Sequence, residues 1–61
     1  MEDQRMNTTY TFTKDGKKYS ARGNNRFEAQ LNIEVAYGIS LEGAKYEEIY
    51  KLRTVSTGTV R

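Results

Sequence analysis

Residues 8–22 read TTYTFTKDGKKYSAR. Two β-rich runs flank Asp15-Gly16, a pair favoured in a two-residue type I′ turn because both central positions need positive φ. The turn sets the register: Lys14 faces Lys17, Phe12 faces Tyr19, and Tyr10 faces Ala21. Side chains alternate across a strand, so the aromatic pairs share one face. The other face carries Thr11 and Thr13 opposite Ser20 and Lys18, with Arg22 near its end. The ribbon thus has one aromatic side and one polar, basic side. A lone hairpin is not stable in water, so something must cover the aromatic side.

The cover is predicted at 26–37. Arg26–Val35 alternates polar and apolar residues, which taken alone suits a strand. Its ends suit a helix. Asn25 with Glu28 three residues later forms a capping-box-like start. Gly38 followed by Ile39 suits a Schellman stop, with Gly in the left-handed position. Glu, Ala, Gln and Leu are good helix formers. Phe27, Leu31 and Val35 fall at i, i+4 and i+8, and this stripe is the one expected to lie on the hairpin.

Further along, Ser40–Gly43 reads as a loop. Residues 45–56 read as one strand, and Thr54–Val60, rich in Thr and Val, leans the same way with a frayed end. The expected fold is therefore α+β: a small ββαβ domain, three antiparallel strands with one helix on one face. Residues 1–7 read as a disordered tail and 8–61 as the domain. The expected core is Tyr10, Phe12, Tyr19, Ala21, Phe27, Leu31, Val35, Ile39, Tyr50 and Leu52. Tyr37 and Tyr46, near element ends, are expected at the surface.

Composition narrows the function. A 61-residue chain with no Cys and no His has neither a disulfide scaffold nor the commonest metal ligand and general base. No catalytic, cofactor-binding or metal-ligating residue stands out. The adjacent pair Glu47-Glu48, if on a strand, points to opposite faces and cannot share a proton or metal. The five glycines lack the spacing of a phosphate loop. An enzyme is not expected. Mean hydropathy of −0.86 and the lack of a long apolar run argue against a membrane span. No secretory leader is legible, so a cytoplasmic location is the expectation.

The net charge of +2 is unevenly spread. Residues 1–26 hold six basic groups against three acidic ones, and residues 27–48 hold one basic group, Lys45, against five acidic ones. Residues 49–61 hold Lys51, Arg53 and Arg61 with no acid. Such an order folds into a dipolar surface. Two binding surfaces follow as expectations. One is basic: Lys14, Lys17, Lys18, Arg22, Lys51 and Arg53. The other lies on the acidic helix: Glu28, Glu34 and Tyr37.

Two resemblances bear on these surfaces. Residues 46–60 are similar to the middle of a helix-turn-helix motif through Glu48, Ile49, Leu52, Val55, Ser56, Thr59 and Val60. Tyr50 and Thr54 depart from it, standing where that family has a small residue and a Gly, and the recognition helix would be about one turn long. The strand reading is retained. Glu28-Ala29, Glu34 and Tyr37, followed by basic Lys51 and Arg53, resemble the pattern of short bacteriophage regulators such as the small phage inhibitor of host RNA polymerase. That resemblance implies a small non-enzymatic binder, monomeric or homodimeric, docking on a host protein through a sheet edge or the acidic helix face. The alternative expectation is a DNA or RNA partner held on the basic face of the sheet.

Overall fold

The computed structural model describes residues 8–60. The expected tail at 1–7 lies outside the described residues. β1 (Thr9–Lys14) and β2 (Lys17–Arg22) form the hairpin in the expected register. Its turn holds Asp15 at φ 52 and Gly16 at φ 79.

α1 (Arg26–Tyr37) begins and ends where its signals stand. The Asn25 side chain accepts from the Glu28 N–H at 2.9 Å, and Glu28 Oε1 accepts from the Asn24 N–H at 2.8 Å. The first bond is the usual half of a capping box, and the reciprocal one reaches one residue beyond the N-cap. At the other end Gly38 takes φ 68 and ψ 38. The Glu34 carbonyl accepts from both Gly38 N–H (2.8 Å) and Ile39 N–H (3.2 Å), which satisfies a carbonyl the helix leaves orphaned.

The sheet has four strands, not three. Residues 45–59 form a second hairpin, β3 (Lys45–Tyr50) and β4 (Arg53–Thr59), rather than one strand or a helix-turn-helix. The turn is Lys51-Leu52, at φ 53 and φ 65. Neither residue has the usual turn chemistry, so nothing in the sequence marks the break. The strand order is β2-β1-β3-β4, every pair antiparallel. A bulge interrupts the last pair: Glu48 opposes Ser56 and Ile49 opposes Thr54, leaving Val55 as the extra residue.

The helix lies over β2 and β1, but rolled from its expected orientation. It buries Ala29 and Ile33, not Phe27, Leu31 and Val35. The methyl of Ala29 lets the helix approach the sheet closely, and Ile33 fills the gap one turn on. The core comprises Tyr10, Phe12, Ala29, Ile33, Leu41, Ala44 and Val60, with Tyr19, Ala21, Ile39 and Tyr46 packed against it. Tyr46, expected at the surface, is half-buried, and so is Tyr50, expected in the core. Leu52 is the clearest reversal: at the turn it is 97% exposed.

Leu41, Ala44 and Val60 supply the apolar volume that the stripe does not. A staple holds them. Val60 N–H donates to the Ala44 carbonyl (2.7 Å), Gly43 N–H to the Val60 carbonyl (2.9 Å), and Leu41 N–H to Glu34 Oε2 (2.8 Å). Tyr46 lies directly over Gly58 on β4. A Cβ at Gly58 would sit 2.7 Å from the Tyr46 ring and hydroxyl, so only glycine leaves room for it.

Candidate docking surfaces

The outer side of α1 presents Phe27, Leu31 and Val35, exposed by 67%, 59% and 74%. At 100° per residue these positions span about 80° of the helix, a continuous apolar stripe. Glu28 and Asn32 border it on one side, Glu34 and Gln30 on the other. Arg26 is already engaged. Its guanidinium lies 4.3 Å from the Phe27 ring centroid and 4.8 Å from that of Tyr46, a cation held between two aromatic faces. The charged groups flanking the stripe are Glu28 and Glu34, each of which also accepts a backbone N–H, from Asn24 and from Leu41. Of the expected helix surface, Glu28 and Glu34 both flank the stripe. Tyr37 is exposed yet also packs edge-on against Tyr19, with centroids 5.0 Å apart.

The opposite face of the sheet is a polar grid, and the registers place it row by row. One row runs Lys18, Thr13, Lys45, Thr59; the next Ser20, Thr11, Glu47, Thr57; the third Arg22, Thr9, Ile49, Thr54. Strand spacing is about 4.8 Å and row spacing about 6.7 Å, so the outer rows lie about 13 Å apart. Cations sit in the outer rows, the lone carboxylate in the middle one. Arg22 and Lys51, with Thr9, Ile49 and Leu52, line a shallow hollow of about 310 Å³ at one corner.

The expected basic surface is thus divided. Lys18 and Arg22 share the open face, and Lys51 joins them at its corner. Lys14 and Lys17 alternate onto the helix-bearing side, as their register with Phe12 and Tyr19 requires. They line a separate hollow of about 320 Å³ with Asp15, Tyr19, Ile39 and Ser40. Lys14 Nζ donates to the Ser40 carbonyl at 2.7 Å. Arg53 stands opposite Tyr50, also on the helix-bearing side. Lys45 belongs to the open-face grid and was missed, because only the β1–β3 register brings it beside Thr13.

Among the described residues no group of three His, Cys, Asp or Glu side chains gathers, and no helix is long and apolar enough to cross a membrane. Comparison with family models, curated proteins and solved structures finds no match.

Proposed function

We propose that the protein is a non-catalytic docking protein that lays the outer face of α1 into an apolar groove on a larger partner protein. One observation carries this: three large apolar side chains at i, i+4 and i+8 stand in solvent on a helix whose inward side is already packed. A monomer gains nothing from such exposure, and contiguous apolar patches mark interaction sites. Helix-in-groove recognition uses anchors at this spacing. Burying a side chain of this kind is worth about 1.5–3 kcal/mol, so three give a gross driving force sufficient for a regulator's affinity. The acidic border favours a groove with a basic rim. The resemblance to short phage regulators points the same way, toward inhibition or regulation of host machinery.

The test is capture by the tagged protein from host lysate, with nuclease present, compared across variants. Leu31→Asp and Val35→Asp should abolish capture of the partner while leaving the far-ultraviolet circular dichroism unchanged. Capture that survives both would end this reading.

A second reading has its own observation. The open-face grid holds cations in rows about 13 Å apart, near the width of a major groove. A nucleic-acid partner would then touch Lys18, Arg22, Lys45 and Lys51. Its affinity should fall steeply with salt through counterion release. Substituting Lys18, Arg22 and Lys51 together would flatten that slope, whereas helix-face docking would be indifferent to it.

A further inference from the structure

The two edges of the sheet differ in chemistry. β2 carries Lys17, Lys18 and Arg22, and such charges discourage a further strand from pairing. β4 has no charged residue from Thr54 to Thr59, and four of those six residues are Thr or Val, which favour extended structure. Among the described residues no strand lies on its outer side. The backbone direction can be read from Val60. Its N–H and its carbonyl both turn inward, to Ala44 and Gly43. Alternation then turns Gly58 and Ser56 inward as well, and leaves the N–H and carbonyl groups of Thr57 and Thr59 facing outward.

We propose that β4 pairs antiparallel with β4 of a second copy, about a two-fold axis at Thr57. Each Thr57 then donates to and accepts from its symmetry mate, Thr59 lies opposite Val55 of the other copy, and Ser56 lies opposite Gly58. The occupant is a second copy because the edge is self-compatible. The uncharged stretch 54–59 meets itself without repulsion, Arg53 standing outside it at the start of the strand, while the β2 edge would set Lys and Arg against their own copies. A charged peptide would find nothing on residues 54–59 to select it. Val55, 56% exposed on the bulge, gains cover from the Thr59 methyl of the other copy. The product is one eight-stranded sheet with closed two-fold symmetry. Since the axis is perpendicular to the sheet, both α1 helices stand on the same side. The dimer therefore offers two docking stripes to one partner or one assembly, and avidity follows without new contacts. Dimerisation itself does not depend on the docking reading.

Edge pairing over so short a strand buries less than about 1,200 Å², so the association is weak. Sedimentation equilibrium of the full chain should show a shift from monomer to dimer between about 5 and about 500 µM. Thr57→Pro removes an outward N–H without touching the β3 ladder and should leave a folded monomer throughout. Thr57→Lys is the second arm. Within the chain its ammonium stands opposite Glu47, which preserves the fold, but across the axis it meets its own copy, and the dimer should be lost. Lys18→Glu and Leu31→Asp should leave dimerisation unchanged. A wild-type chain that stays monomeric across the range overturns the proposal. So does a dimer that persists in Thr57→Lys, and a dimer lost in Leu31→Asp would instead assign self-association to the helix stripe.

Discussion

Replacing Lys51-Leu52 by Asn-Gly should make the protein more stable. Both residues sit in the left-handed region, at φ 53 and φ 65. A side chain with a Cβ costs roughly 1–2 kcal/mol there relative to a residue free of that clash. Glycine at 52 relieves that cost in full and asparagine at 51, whose short polar side chain tolerates this region, relieves part of it, roughly 1.5–3 kcal/mol together. The added glycine returns about 0.5–1 kcal/mol of that through its greater freedom in the unfolded chain. Little packing is lost in exchange, because Leu52 is 97% exposed. Lys51 gives up an ammonium 5.5 Å from the Tyr50 ring centroid, a contact worth about 0.5–1 kcal/mol at an exposed site. The net gain is then about 0.5–1 kcal/mol. For a domain of this size each kcal/mol moves the midpoint by about 4–8 °C, so a rise of about 2–8 °C is expected. Thermal unfolding followed by circular dichroism measures it, and urea titration with an unchanged slope would show that the gain is stability rather than a changed denatured state. The first turn is the internal standard. Asp15-Gly16 already has the right chemistry, so Asp15→Asn should move the midpoint by less than about 3 °C. An unchanged or lower midpoint in the Asn-Gly variant would show that the second turn is not strained and that the reasoning is wrong.

The roll of the helix has an equally direct check. Ile33→Ala should cost about 2–4 kcal/mol, because Ile33 is buried against the sheet, while Leu31→Ala should stay within about 0.5 kcal/mol of the wild type. Urea midpoints reversed between these two variants would put the helix back in the orientation its larger side chains suggest. Asn25→Ala should lower stability by about 1 kcal/mol in the same titration, and Asn25→Gly by only a few tenths. Glu34→Ala should cost about 1–2 kcal/mol through the lost carboxylate bond to Leu41 N–H, and amide exchange at Leu41 should rise with it. Exchange at Leu41 unchanged by that substitution would mean that the bond does not hold the 38–44 loop.

Where the sequence carried backbone chemistry, the fold was legible. Asp15-Gly16 fixes a turn, and a turn fixes the register of two strands. Asn25, Glu28 and Gly38 mark helix ends because each satisfies a particular N–H or carbonyl. The orientation of the helix was not legible in the same way. Arg26–Val35 alternates, so it offers two apolar faces, and the larger side chains sit on the wrong one. The face with Ala29 and Ile33 is the one packed on the sheet, and the interior is filled to density by side chains from outside the helix. The missing core volume came from Leu41 and Val60, which belong to a loop and a strand end and carry no periodicity. The second turn was hidden because Lys51 and Leu52 enter it against their own preference. Of the two expected surfaces, the acidic one is spread round α1: Glu28 and Glu34 stand on opposite sides of the apolar stripe, and Tyr37 packs against Tyr19. The basic set divided because alternation sends Lys17 and Lys18, neighbours in sequence, to opposite faces.

The seat of Tyr46 on Gly58 ties two distant positions into one heritable unit. Any residue larger than hydrogen at 58 would push the ring off its place between Phe12 and Arg26. A descendant lineage could therefore change position 58 only after position 46 had shrunk, and a chain that had lost the ring would no longer be held to glycine. In homologues of this protein the two sites should drift together, with an aromatic at one and glycine at the other disappearing in the same step.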